Sequence, residues 1–364
     1  MTRHTRKFFA ACGCCSSDGA AVSRRTFLAS AAATALAAPA IGRLGQAAAQ
    51  TAAPASASRR IIDVHHHIAP PAYLAETRQR QNPPVINWSV QKSIEDMDKA
   101  GVATSITSIT TPGVWFGDDA QAQRLARACN EYAAKLMQDH PGRFGMFAGL
   151  PLPNVDAALR ELEYGLDTLK ADGVWLLTSF GNKWLGDPAF DPLMEELNRR
   201  KAVVYTHPTT AECCRNLVTD VPPAVIEYGT DTTRAIASLL LRGGAKKYPD
   251  IKWIFSHAGG TMPFLIERFV RLGPQPKVQP NLPFGNMEAA LKSFHYDIAQ
   301  SSHPIPLGAL VQLVTTSQIV FGTDFPFRTS ADHANALADF GFKPDELRAI
   351  DRENALKLLP KYRA

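Results

Sequence analysis

From Ile61 onward, short runs of β-branched and apolar residues alternate with longer stretches whose apolar positions recur every three or four residues. The short runs predict strands over residues 61–65, 102–109, 144–150, 173–178, 202–207, 251–257, 295–299 and 318–323. The long stretches predict helices, most plainly over 119–139, where Leu125, Ala128, Cys129, Tyr132, Ala133 and Leu136 fall on one helical face. Further helices are expected over 156–169, 188–199, 225–241 and 345–358. Strand and helix in strict alternation is the mark of βα units around a parallel sheet. Eight such units predict an α/β fold of the closed (β/α)8 TIM-barrel type, with an open doubly wound sheet as the alternative. No Gly-x-Gly-x-x-Gly follows an early strand, which leaves a dinucleotide site without its sequence basis.

Residues 1–49 break this pattern. A basic start (Arg3, Arg6, Lys7) leads to Ser23-Arg24-Arg25-Thr26-Phe27-Leu28 and an Ala-rich apolar stretch to about Ile41, the three-part form of an export signal. The paired arginines point to the twin-arginine class, and Ala47-Ala48-Ala49 offers a small-residue cleavage site. A plain Ala-rich helix is the other reading, which Pro39 and Gly42 would interrupt. Residues 50–60 are small and polar and read as a flexible tether, so the catalytic domain is expected over 61–364 and its location in the periplasm, or otherwise outside the cytoplasm by the twin-arginine route.

The leader also changes the charge argument. Of 39 Lys+Arg and 34 Asp+Glu in the chain, residues 1–49 hold six and one, so the remainder carries 33 of each and is formally neutral. A nucleic-acid partner loses its electrostatic basis. No unbroken run of about 20 apolar residues supports a spanning segment, so no stable membrane association is expected once the signal is removed. Outside the leader the cysteines are Cys129, Cys213 and Cys214, too few and too adjacent for a disulfide framework.

The chemistry concentrates at the ends of predicted strands. In Asp63-Val64-His65-His66-His67, alternation puts His65 and His67 on one face and turns His66 away. Two imidazoles on one face can meet one cation. His207 closes the fifth strand, His257 the sixth and Asp324 the eighth. In a barrel these C-terminal strand ends form the active-site face, so five potential ligands or acid/base groups gather at four strand ends.

These residues carry a resemblance. Asp63-Val64-His65-His66-His67, Thr206-His207-Pro208, Ser256-His257-Ala258-Gly259-Gly260-Thr261-Met262-Pro263-Phe264 and Gly322-Thr323-Asp324-Phe325-Pro326, with His140-Pro141-Gly142-Arg143-Phe144 and Leu150-Pro151-Leu152-Pro153, resemble the metal-dependent amidohydrolase superfamily. The nearest branch is that of aminocarboxymuconate-semialdehyde and 6-methylsalicylate decarboxylases, and the resemblance covers nearly all of residues 61–359. It implies His65, His67, His207 and Asp324 as ligands of one divalent metal, zinc with manganese as the alternative, and His257 beside the substrate as a catalytic group together with Asp324. The fourth strand carries no Lys or Glu to bridge a second ion, so the site is expected to be mononuclear. The resemblance also implies a substrate-carboxylate role for Arg268, often exerted in a neighbouring subunit's site, and hence a homodimer.

Aromatic residues near the strand ends (Trp115, Phe116, Phe180, Trp184, Phe325, Phe327) offer stacking surfaces for an aromatic substrate. Trp115 and Phe327 are the expected wall residues. The function implied is non-oxidative decarboxylation of a small aromatic or unsaturated carboxylic acid, with 6-methylsalicylate-like hydroxybenzoates foremost. Metal-dependent hydrolysis of a lactone, amide or ester by the same residues is the alternative enzyme reading. A non-catalytic metal-binding protein is a third, against which His257 and Arg268 are more than binding requires.

Overall fold

The computed structural model describes residues 59–363; the leader and residues 50–58 of the tether lie outside the described residues. Among the described residues, Arg59 already makes contacts with the barrel, two residues before the expected start. Its guanidinium pairs with the Asp351 carboxylate at 2.6 Å, and the Arg60 carbonyl accepts from Arg352.

Eight parallel strands follow one another around the sheet in sequence order: β1 Ile61–His67, β2 Val102–Ser108, β3 Phe144–Gly149, β4 Gly173–Leu177, β5 Val203–His207, β6 Lys252–Phe255, β7 His295–Asp297 and β8 Ile319–Val320. The residues after β8 close the ring onto β1. Val64 N–H donates to Phe321 O at 3.0 Å, Asp324 N–H to His65 O at 2.8 Å and His67 N–H to Phe325 O at 2.8 Å. The arrangement is the expected (β/α)8 barrel, and the open-sheet alternative is removed by that closure.

Several strands stop short of their predicted ends for one reason: the backbone turns over where the site begins. β6 ends at Phe255 because His257 (φ 53°) and Ala258 (φ 57°) enter the left-handed region, and the His257 N–H is taken by Asp297 Oδ1 at 2.8 Å. β7 ends at Asp297, whose Oδ1 also accepts from Ala299 N–H at 3.0 Å.

The predicted helix Asp119–Asp139 forms in full, capped by the Asp118 side chain accepting from Gln121 N–H. The helix expected over 156–169 is Val155–Glu163 followed by a wider π turn at Tyr164–Thr168. Within that turn a β-carbon on Gly165 would press on Ala148 Cβ of β3 at 2.8 Å. The C-terminal stretch likewise divides into Pro344–Arg348, a π turn Ala349–Glu353 and Asn354–Leu358. Helices Pro71–Thr77 and Pro304–Leu313 begin on prolines, which suit a first turn that needs no N–H donor. No helix of the described residues is long and apolar enough to cross a membrane.

The side chains that fill the barrel interior also support the site. Phe147 stacks on Tyr205 with ring centroids 5.3 Å apart, Tyr205 meets His65 edge-on at 5.1 Å, and Trp175 lies 6.3 Å from His207. Outside the sheet, Val174, Leu176 and Val204 pack with Leu193, Leu197, Ile236 and Leu239 of the surrounding helices. Burying each large apolar side chain contributes about 1.5–3 kcal/mol, so the strand ends rest on a close-packed base.

Candidate metal centre

β1 delivers His65 and His67 to the same side, as its alternation requires, and β5 brings His207 across from them. The Nε2 atoms of His65 and His67 are 3.1 Å apart, those of His67 and His207 3.1 Å, and Asp324 Oδ1 lies 3.1 Å from His67 Nε2 and 3.3 Å from His65 Nε2. All four donors are buried and lie within 4.8 Å of one another.

The far nitrogens explain why the near ones converge. His65 Nδ1 donates to Asp297 Oδ2 at 2.8 Å, and His207 Nδ1 donates to the Pro208 carbonyl at 2.8 Å. His67 Nδ1 lies 3.3 Å from Ser108 Oγ. With the proton held on Nδ1, the Nε2 lone pairs of His65 and His207 face the centre. Lone pairs and a carboxylate oxygen facing one another without a proton between them repel, and a cation removes the repulsion. Separations of 3.1–3.3 Å are those expected of neighbouring donors on one ion with bonds of about 2.0–2.1 Å. The donor set thus fits one divalent metal, oriented from behind by the partners such sites use.

Without an ion the same groups settle differently. Burial opposes charge on His65, yet the Asp297 and Asp324 carboxylates overcome it and hold its pKa up at about 10. Burial pushes His207 well below the usual histidine range, and the His67 and His65 rings add to this. Burial works against the charge on Asp324 too, but His65, His257 and His67 keep its carboxyl well below the usual carboxylate range. Without the ion, His65 therefore carries positive charge beside the stable Asp324 carboxylate, and a bound cation takes the place of the proton on its Nε2.

Around the centre, His66 turns outward as expected. Its Nδ1 lies 3.1 Å from Asp63 Oδ2, its Nε2 2.9 Å from Ser93 Oγ, and its ring stacks on Phe325 at 4.6 Å. His257 Nε2 sits 3.4 Å from Asp324 Oδ2, out of line for a hydrogen bond. Two further residues, to which the sequence assigned no role, complete the setting. Asp63 accepts from His65 N–H at 2.9 Å and Thr323 Oγ1–H at 2.7 Å, tying β1 to the strand end that carries Asp324. Gln300 Nε2 donates to Asp324 Oδ2 at 3.1 Å. His257, Gln300 and Asp324 all adopt left-handed backbone (φ 53°, 53°, 61°). Such non-glycine outliers cost of order 1–3 kcal/mol each and gather where function requires them.

Above the centre is a cavity of about 550 Å³ lined by His207, His257, Asp324, Gln300, Phe327 and Tyr228, with Thr110, Thr111 and Arg80–Asn82 toward its mouth. The Tyr228 hydroxyl is 3.2 Å from Thr111 Oγ1. Phe327 is part of that lining. Trp115 is 40% exposed, bonded through Nε1 to Asp119 at 2.9 Å, and does not line the cavity. Arg268 is exposed on helix Ile266–Leu272 and lines a separate surface depression with Glu267 and Arg271. At the end of β4, Thr178 and Ser179 hydroxyls donate to Asp231 and offer no bridge for a second ion.

Comparison with known proteins follows the same line. The pattern of the amidohydrolase family matches residues 62–361. The decarboxylase YanB of Aspergillus niger is 38% identical over 323 residues, covering 83% of this chain and 88% of its own. The 6-methylsalicylic acid decarboxylase of Penicillium expansum is 35% identical over 316 residues, covering 83% of this chain and 97% of its own. Among solved structures, an amidohydrolase II protein superposes with a TM-score of 0.76 at 27% identity, over 82% of this chain and 99% of that one. A barrel closed in sequence order, a buried three-histidine, one-aspartate centre at its strand ends and a match over nearly the whole described chain place this protein in the amidohydrolase family.

Proposed function

We propose that the protein is a metal-dependent carboxy-lyase that removes CO2 without oxidation from an aromatic or unsaturated carboxylic acid of the 6-methylsalicylate type. The observation that carries this is the buried donor set at the base of a cavity large enough for a substituted benzoate, in a chain whose relatives at 35–38% identity are decarboxylases. Three imidazoles and one carboxylate suit zinc first, with manganese as the alternative. A bound divalent ion supplies Lewis acidity toward the substrate's carboxylate and an adjacent oxygen.

The remaining work falls to the chain. Asp324 Oδ2 is the carboxylate oxygen turned toward Gln300 and His257, and it relays a proton taken up from water to the ring carbon that bears the carboxylate. The carbon–carboxylate bond then breaks, its electron pair returns to the ring, and CO2 leaves as aromaticity is restored. The acid must come within about 3 Å of that carbon, directly or through one water. Phe327 packs against the ring, and the Tyr228 and Thr111 hydroxyls take a polar substituent. The assembly proposed is a homodimer. Phe264, Leu265 and Ile305 are exposed apolar side chains on neighbouring segments, and Arg268, one turn beyond Leu265, then serves a neighbouring copy. Export through the Arg24-Arg25 leader is part of the same reading.

The test is to purify the chain, measure its metal by elemental analysis and screen hydroxybenzoates for CO2 release against His67→Ala. One ion per chain and CO2 release that the variant loses support the proposal and identify the ion. An ion without CO2 release, but with lactone or ester hydrolysis, transfers the centre to the hydrolytic reading. Absence of metal overturns both.

A further inference from the structure

The loop between β5 and helix Pro223–Leu241 holds a feature that the metal centre does not use. Cys213 and Cys214 place their sulfurs 3.0 Å apart, with Cys213 exposed and Cys214 only 6% exposed. The pair is held, not free to swing. Cys213 N–H donates to Asn182 Oδ1 at 2.8 Å, Cys214 N–H to Ala211 O at 2.9 Å and Glu212 N–H to Gly181 O at 3.2 Å. Cys129, by contrast, is buried in the helix Asp119–Asp139, and burial pushes its thiol up to about 12.

We propose that Cys213 and Cys214 are a peroxide-reactive modification site that closes reversibly into a disulfide between adjacent residues. The Cys213 sulfur, the accessible one, attacks a peroxide oxygen; the O–O bond breaks and the thiol becomes a sulfenic acid with release of water. The Cys214 sulfur then attacks the sulfenic sulfur, the S–O bond breaks, and a second water leaves. In sum two thiols and one hydrogen peroxide give one disulfide and two waters. An exposed thiol beside a shielded resolving thiol is the arrangement that favours this outcome over further oxidation. Closure needs the sulfurs to approach by roughly 1 Å. Adjacent α-carbons, about 3.8 Å apart, fall short of the usual span of a disulfide, which makes such a bond easily reduced and so reversible. The loop joins the His207 strand to the helix whose Ala224, Val225 and Tyr228 line the cavity, so oxidation is expected to act on substrate affinity more than on turnover.

The test is made on the purified full chain treated with hydrogen peroxide, then alkylated under denaturing conditions and digested after Lys201 and Arg215. The peptide 202–215 should lose two hydrogens, resist alkylation, and return to the doubly alkylated form after a thiol reductant. In Cys214→Ser, Cys213 should instead accumulate as sulfinic and sulfonic acid. If wild type and Cys214→Ser give the same overoxidised product, or if the pair stays reduced at peroxide levels that oxidise free glutathione, the proposal is overturned. The readout is chemical and independent of any decarboxylase activity.

Discussion

Asp297→Asn separates the orientation of a metal ligand from the stability of the fold. Asp297 Oδ1 accepts from two backbone N–H groups, of His257 at 2.8 Å and Ala299 at 3.0 Å, while Oδ2 accepts from His65 Nδ1 at 2.8 Å. In the asparagine variant the amide oxygen must stay with the two backbone donors, which leaves the NH2 facing His65 Nδ1. Two donors cannot face each other, so the His65 proton moves to Nε2, into the centre, and one ligand is lost. Changes of such supporting partners cost 10–100-fold in metal affinity, about 1.4–2.7 kcal/mol. The assay is chelator competition for zinc and for manganese, with thermal melting of the metal-free proteins. Asp297→Asn should lose that affinity while its metal-free melting falls less than that of Asp297→Ala, because the two backbone N–H groups keep their acceptor. Asp297→Ala also abandons the two buried N–H groups, at about 1–3 kcal/mol each, and should lose both affinity and stability. A dissociation constant for Asp297→Asn within about two-fold of wild type, against the larger loss expected, refutes the tautomer argument.

Chelation of the intact protein tests the metal's share of stability. At a thousand times its dissociation constant an ion adds about 4 kcal/mol, so its removal should lower the melting temperature by on the order of 10 °C, and a shift of under about 2 °C would count against a structural role. Gly260→Ala should cost more than Gly285→Ala. Both glycines have positive φ (71° and 64°), but a Cβ at 260 would strike the Gly229 carbonyl beside the cavity whereas at 285 nothing lies within 4 Å. The overpacking adds about 1–3 kcal/mol at Gly260 alone, and equal denaturation midpoints would contradict it. His333 predicts an acid sensitivity apart from the metal ligands. Its buried ring, bonded to Ser302 Oγ, has its pKa pushed down to about 4 by burial, so the unfolded chain takes the proton first as pH falls. Stability is full above about pH 6.5 and drops by about 3 kcal/mol on the way to pH 4, and His333→Asn should flatten this slope in pH-dependent urea unfolding. An unchanged slope would assign the acid loss elsewhere.

Much of this protein is legible one residue at a time. Strand alternation alone paired His65 with His67 and turned His66 away, and strand ends alone marked His207, His257 and Asp324, because period and position along a strand are local properties. The resemblance then grouped four of them as ligands before any distance was known. Local pattern could not see what depends on chain closure. The ring is shut by hydrogen bonds between residues 64–67 and 321–325, more than 250 positions apart in sequence. Asp297 orients His65 from 232 residues away, and Gln300, itself on left-handed backbone, donates to Asp324. Aromatic character alone nominated Trp115 and Phe327 equally, but only the path of each loop decides which ring meets the cavity. The path after β8 turns Phe327 inward, while the Asp119 carboxylate holds Trp115 at the surface. The sequence determined which groups can do the chemistry, since that is a matter of residue type and periodicity. The tertiary structure decided which lone pairs converge, since that depends on hydrogen bonds made across the closed barrel.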